Sequence, residues 1–250
     1  MGNVAVITGS ASGIGAATVD HLLAKGYNVL GVDIASGEES ADLAWVSGDI
    51  AAPSTWDAVD AKLSERGWEP SGLVTAAAFL QVGNVLELSE EDWTKTFAVN
   101  VMGLVHAAKR LLPGMIDRGL GSVVTIGSID SYMAEQGLIS YCASKGAILQ
   151  FTRALAMDHA RHGIRANCVC PGVTDTPFFR RHLATAKDPA RFLEVREQRN
   201  PIGRLLTPGE IASTVAYLLS DQASGVTGAN IVVDGGLTTS FDFRTGAGGD

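Results

Sequence analysis

Val4-Ala5-Val6-Ile7-Thr8, followed at once by Gly9-Ser10-Ala11-Ser12-Gly13-Ile14-Gly15 and then Ala16-Ala17-Thr18, reads as a β-branched strand, a glycine-rich turn and the start of a helix. Each glycine has its own task. Gly9 permits the tight exit from the strand, Gly13 lets backbone approach a pyrophosphate, and Gly15 lets helix and strand pack closely. An anion in this turn, against Ser12 and Ile14, meets the unpaired N–H groups of the helix N-terminus. Ordinary tight loops also carry glycine triplets, so the weight rests on the strand before this one and the helix after it.

Working outward, the second β-branched run closes on Gly31-Val32-Asp33, eighteen residues after Gly15. A carboxylate there accepts hydrogen bonds from the hydroxyls of an adenosine ribose and repels a 2′-phosphate. Neither Ser10–Ile14 nor Ile34–Ser40 contains an Arg or Lys to pair with such a phosphate, so the charges select NAD over NADP. The bland reading of Asp33 is a solvated strand-end acid. Asp49-Ile50, at the end of the third run, is the candidate for the adenine edge, through the Asp49 carboxylate and the Ile50 backbone N–H.

The same alternation runs along the chain. Val4–Thr8, Val29–Asp33, Trp45–Asp49, Leu73–Ala77, Val123–Ile126, Arg165–Val169 and Ile231–Asp234 read as strands. They are almost wholly apolar, as expected when helices cover both faces of a parallel sheet. Ala16–Lys25, Pro53–Arg66, Glu90–Leu112, Tyr141–Arg161 and Pro208–Ser220 are long enough to cross over that sheet. The expected fold is one α/β domain over 1–250: a doubly wound (Rossmann), mostly parallel seven-stranded sheet with helices on both faces. Two regions read as irregular: 173–206, with Pro177, Pro189 and Pro201, which is long enough for a substrate-binding lid, and the flexible or partner-pinned tail 245–250.

With 46% hydrophobic and 18% charged residues, the 250-residue chain can bury one large core. Its 19 Lys and Arg against 27 Asp and Glu give a net charge of −8, which repels a phosphate backbone or an anionic bilayer. Neither nucleic acid nor membrane is an expected partner. There is no apolar run of about 18 residues, and the chain enters its first strand without a basic leader. Cys142, Cys168 and Cys170 are odd in number and lack Cys-x-x-Cys spacing, so neither a disulfide framework nor a metal site is expected. A reducing cytoplasm fits this usage.

Tyr141 and Lys145 stand four apart in Tyr141-Cys142-Ala143-Ser144-Lys145 and share one helix face. A phenol is a poor base at neutral pH, and a nearby ammonium stabilises the phenolate. Thirteen residues upstream, just past a strand, Ser128 offers a hydroxyl to hold a substrate oxygen beside that phenol. Alone, such a Tyr-x-x-x-Lys pair is more often an ordinary surface pair. Cys142 should face away from the phenol and pack in the core, and Cys168 and Cys170 should lie on one strand face as core.

Together with Gly9, Gly13 and Gly15, with Asn100 in Asn100-Val101-Met102-Gly103, with Pro171-Gly172 and Thr176, and with Asp234-Gly235-Gly236, these residues give a chain that resembles the short-chain dehydrogenase/reductase family from about Val4 to Gly236. The resemblance implies a tetrad. Asn100 would hold a water of the proton relay, Ser128 would orient the substrate oxygen, Tyr141 would be the acid/base, and Lys145 would also grip the nicotinamide ribose. It further implies that the Val173 backbone and the Thr176 hydroxyl bind the carboxamide. The family usually has Asn-Asn-Ala-Gly after the fourth strand; this chain has Thr75-Ala76-Ala77-Ala78, which still leaves the Ala76 backbone beside the cofactor.

The leading reading is an NAD-dependent dehydrogenase oxidising a secondary alcohol to a ketone. The alternatives weighed are a non-catalytic NAD-binding sensor or structural subunit, a sugar-nucleotide epimerase, and an NADPH-dependent ketoacyl reductase, the last opposed by Asp33. Substrate-pocket candidates are Phe79, Leu80, Gln81, Asp130, Met133, Gln136, Leu138, Phe178 and Phe179. Between Arg180 and Arg204 the lid carries seven basic residues against three acidic ones, so an alcohol bearing an anionic group is a candidate substrate, with at most one of Arg180 and Arg181 facing inward. The resemblance also implies a homotetramer joined through the two long helices, whose exposed faces carry Ala107, Ala108, Leu149, Phe151 and Leu155, a periodicity that is equally that of a core face.

Overall fold

The computed structural model describes residues 3–239, so the expectation for 245–250 falls outside the described residues. Seven strands form one sheet: β1 Val4–Thr8, β2 Asn28–Asp33, β3 Leu43–Ser47, β4 Gly72–Thr75, β5 Gly121–Ile126, β6 Ile164–Pro171 and β7 Asn230–Val233. Their order is β3-β2-β1-β4-β5-β6-β7. Every pairing is parallel, from Thr8 opposite both Val32 and Thr75 to Cys170 opposite Val232. The chain therefore builds outward from β1 to β3 and returns on the far side of β1 with β4. That reversal opens a crevice beyond the carboxyl ends of β1 and β4, where such sheets bind ligands.

Helices α1 Gly13–Leu23, α2 Pro53–Arg66, α3 Glu90–Phe97, α4 Gly103–Arg118, α5 Ile139–His159, α6 Pro177–Leu183, α7 Pro189–Arg199 and α8 Pro208–Leu219 fill the connections. Their ends follow local chemistry. Pro53 starts α2 and Gly67, at φ +64°, ends it. Ser89 with Asp92 and Thr207 with Glu210 make reciprocal caps on α3 and α8. One face of the sheet buries Trp56, Val59, Leu111, Met115 and Leu155 from α2, α4 and α5. The other buries Val19, Leu22, Ile211, Val215 and Leu218 from α1 and α8.

Four expectations are corrected. The stretch expected as one helix over Glu90–Leu112 is broken by a π-helical turn at Ala98–Met102. The 173–206 region is not irregular: it contains α6 and α7, packed through Phe179, Leu183 and Leu205. The third strand sits two residues earlier than expected: its parallel ladder with β2 ends where the Gly48 N–H bonds the Asp33 carbonyl at 2.8 Å, and Asp49 starts the approach to α2. Finally, Ala107, Ala108, Leu149 and Leu155 are buried inside the chain and Phe151 packs against that core, so these residues form no free face for a partner.

Candidate active site

Glycine geometry shapes the floor of the crevice. Gly9 has φ +69°, and a Cβ there would lie 2.6 Å from the Ala77 nitrogen, while a Cβ on Gly15 would run into the Gly9 carbonyl oxygen. Larger residues would push apart the turn, α1 and β4. Gly13 has φ +57° and faces Thr176 across the crevice. The cradle leaves a cleft of about 820 Å³ lined by Ser12, Gly13, Ile14 and Asp33 at one end and by Ser128, Tyr141 and Lys145 at the other. Asp49, Ile50, Ala76, Pro171, Gly172, Val173 and Thr176 also line it. These residues fit a dinucleotide: a bare-backbone turn at a helix N-terminus for the pyrophosphate and an acid for the adenosine ribose.

Asp33 does more than face that ribose position. Its Oδ2 accepts the Ala11 N–H at 3.0 Å and its Oδ1 the Ala35 N–H at 3.0 Å, so the carboxylate ties the glycine turn to the end of β2. Asp49 Oδ1 accepts the Ala51 N–H at 2.9 Å, and the Ile50 side chain sits where a Cβ on Gly103 would be. Where the polar sheet-centre residue of the family is missing, the N–H groups of Ala76 and Ala77 donate to the carbonyl and hydroxyl oxygens of Thr8, at 3.2 and 3.3 Å. The Thr176 hydroxyl caps α6 by accepting the Phe179 N–H at 3.1 Å.

At the other end, α5 carries Tyr141 and Lys145 on one face, as their spacing predicts. The Lys145 ammonium donates to the Ile126 carbonyl at 2.8 Å and lies 5.4 Å from the centre of the Tyr141 ring. Burial lowers the Lys145 ammonium to about 8. The Tyr141 phenol moves the other way: burial, reinforced by the Asp130 carboxylate, pushes it well above the usual tyrosine range, against a hydrogen bond with Ser128. The expected net lowering by Lys145 is thus outweighed by desolvation. Asn100, in the π-helical turn, accepts the Phe79 N–H at 2.7 Å and donates to the Phe79 carbonyl and the Ser144 hydroxyl, both at 2.9 Å. Its amide anchors the segment after β4, which leaves no side-chain donor for a relay water.

The substrate end is lined by Phe79, Leu80, Asp130, Leu138, Phe178 and Phe179, while Gln81, Met133 and Gln136 are not among its lining residues. The Phe178 ring lies 6.1 Å from that of Tyr141, tilted by 37°. Arg181 lines the cleft, whereas Arg180 turns outward and makes two bonds to Asp175, at 2.6 and 2.8 Å. The sequence reading missed Lys95, Glu135, His182 and Arg196, all of which line the cleft. Arg196 of α7 pairs with Glu135 of the β5–α5 connection. No single-residue signal marks that pair, because 61 residues separate its members. Cys168 and Cys170 are buried with their sulfurs 3.7 Å apart, and Cys142 is only half-buried.

A twisted parallel sheet with a glycine turn at its crossover and a Ser-Tyr-Lys cluster at the carboxyl ends defines a class of nicotinamide-dependent oxidoreductases. The family model described as enoyl-(acyl carrier protein) reductase matches residues 9–238, and the chain belongs to the short-chain dehydrogenase/reductase family. The chain is 38% identical over 249 residues to 2-(S)-hydroxypropyl-CoM dehydrogenase 3 of Xanthobacter autotrophicus, covering 94% of this chain and 96% of that one. It is 36% identical over 247 residues to cis-4-hydroxycyclohexanecarboxylate dehydrogenase of Sinomonas cyclohexanicum, with the same coverage. Ligand-free aldohexose dehydrogenase of Thermoplasma acidophilum superposes with a TM-score of 0.91 at 30% identity, over 98% of this chain and 97% of that one. The protein is an oxidoreductase of CH–OH groups that works with a nicotinamide cofactor.

Proposed function

We propose that the protein oxidises a secondary alcohol bearing an anionic group to the corresponding ketone, with NAD as cofactor and Tyr141 as acid/base. The observation that carries this is one continuous cleft with Asp33 at its ribose end and Ser128, Tyr141 and Lys145 at the other. Asp33 and its neighbours offer a ribose two acceptor oxygens and offer a 2′-phosphate only repulsion. Gly9, Ser12, Gly13, Ile14 and Gly15 would hold the pyrophosphate, and Lys145 the nicotinamide ribose. The bound nicotinamide supplies the hydride acceptor. Tyr141 takes the hydroxyl proton of the alcohol, and Ser128 holds the same oxygen. Phe178 and Phe179 keep the reacting carbon away from bulk water, and Arg181 faces the substrate end as an exposed cation.

A substrate carboxylate also suits the relatives, one of which is named for a hydroxycyclohexanecarboxylate. The three free thiols fit the cytoplasm, and the family's habit of assembly suggests a homotetramer, checked by light scattering at micromolar concentration. No helix among the described residues is long and apolar enough to cross a membrane. The direct test is a panel of hydroxy carboxylates and neutral secondary alcohols, each with NAD and with NADP. The expected result is turnover of at least one hydroxy carboxylate, with kcat/KM at least tenfold higher for NAD. Comparable kcat/KM with NADP would remove the argument from Asp33, and turnover of neutral alcohols alone would remove the anionic group.

A further inference from the structure

Past β2 the chain crosses residues 34–42, every one of them exposed, before it re-enters the sheet as the edge strand β3. This loop buries no side chain of its own, and Trp45 of β3 holds it instead. Ala44 and Val46 enter the core beside Trp56, so Trp45 between them points to the opposite face of the sheet. There it stands in register with Gly31 of β2. A Cβ on Gly31 would lie 2.7 Å from the indole, and one on Gly37 of the loop 2.4 Å from it, so both backbones rest directly on the ring. The indole Nε1–H donates to the Ala35 carbonyl at 2.9 Å, and the Trp45 backbone N–H donates to Glu39 Oε1 at 3.1 Å. Glu39 in turn pairs with Lys62 and Arg66 of α2.

Ala35, gripped through its carbonyl, is the residue whose N–H donates to Asp33 Oδ1 at 3.0 Å, while the Ala11 N–H donates to Oδ2 at 3.0 Å. A carboxylate offers about four lone-pair sites. The two N–H groups take one on each oxygen and leave one on each for the two hydroxyls of an adenosine ribose. Resting on the NAD reading above, we propose that Trp45 is a positioning residue for cofactor selection: by clamping the loop at Ala35 and Gly37 it fixes the aim of the Asp33 carboxylate. Released from the indole, the Ala35 turn and Asp33 move together. The ribose hydroxyls then lose aligned acceptors, and a 2′-phosphate no longer meets a fixed negative charge. Discrimination therefore rests on a side chain of the neighbouring strand as well as on the acid itself.

The test is the Kd of NAD and of NADP for the whole protein, measured by calorimetry. Trp45→Phe keeps an aromatic ring under Gly37 and removes the donor to Ala35. The ratio of the NADP Kd to the NAD Kd should fall by about fivefold or more, the worth of one hydrogen bond, whereas a merely structural role would weaken both cofactors alike. Gly37→Ala leaves Trp45 in place and lifts the loop off its ring, and it should lower the ratio as well. In an Asp33→Asn background Trp45→Phe should change the ratio less than about twofold, because its effect passes through that carboxylate. Without any cofactor, exchange of the Ala35 amide hydrogen should quicken about fivefold or more in Trp45→Phe, again the worth of that bond. Unchanged exchange, an unchanged ratio in either variant, or an equal fall with and without Asp33 overturns the proposal alone. A wild type that binds the two cofactors equally overturns the NAD reading itself, and the proposal with it.

Discussion

Tyr141 and Lys145 are buried on the same face of α5, and burial acts on them with opposite signs. It disfavours a charged lysine and a charged phenol alike, so Lys145 falls to about 8 while Tyr141 rises. Tyr141→Phe keeps the ring that packs against Phe178 and removes the titrating oxygen. Turnover should drop by at least about 10²-fold with NAD affinity within a factor of two, measured by steady-state kinetics and by cofactor fluorescence. Retained kcat would take Tyr141 out of the mechanism. For Lys145 the folded midpoint of about 8 lies below the ordinary 10.5, so between those pH values the unfolded chain binds more protons and this site adds stability as pH rises. The difference in Tm between wild type and Lys145→Met should therefore move in favour of wild type by several degrees from pH 8 to 10.5. A constant difference would mean that Lys145 does not titrate in that window.

The legibility of each element depended on how local its cause is. Strands β1, β4 and β5 are buried along their whole length, so their apolar runs announce them. The break between α3 and α4 leaves no such mark, because one π-helical turn barely disturbs the apolar spacing on either side. Its purpose lies in a distant contact: it brings Asn100 to the backbone of Phe79, 21 residues away. Helices α6 and α7 were hidden for another reason. Their prolines read as breakers, yet Pro177 and Pro189 occupy first-turn positions, where a missing N–H is harmless. Asn100→Ala strands the Phe79 N–H and carbonyl together with one Ser144 contact. Denaturant unfolding should show a loss of about 2–4 kcal/mol, and a loss under about 1 kcal/mol would mean that water replaces the amide there.

Across the whole molecule, the charge on the 180–204 segment opposes the charge on the chain. The net charge of −8 repels an anion at long range, whereas the cleft presents Lys95, Arg181 and Arg196 near its mouth, with Arg196 already committed to Glu135. Sequence alone counted the basic residues of the lid but could not assign them, since adjacent helical side chains point about 100° apart and only packing decides which one faces inward. Packing against Asp175 fixes Arg180 outside and leaves Arg181 on the cleft. The attraction that Arg181 exerts on a substrate carboxylate should therefore be short-ranged and screened by salt, whose Debye length is about 10 Å at 0.1 M. For a hydroxy carboxylate, KM should rise steadily between 0.05 and 0.5 M salt, ranges chosen to shrink that length through about 10 Å. Arg181→Ala should raise KM roughly tenfold at low salt and flatten the dependence, with kcat little changed. Arg180→Ala, which only releases an exposed Asp175, should follow the wild-type curve. Neutral alcohols should show no salt dependence in any of the three proteins. Equal changes in the two arginine variants would place anion recognition elsewhere on the cleft, with Lys95 the next cation to replace.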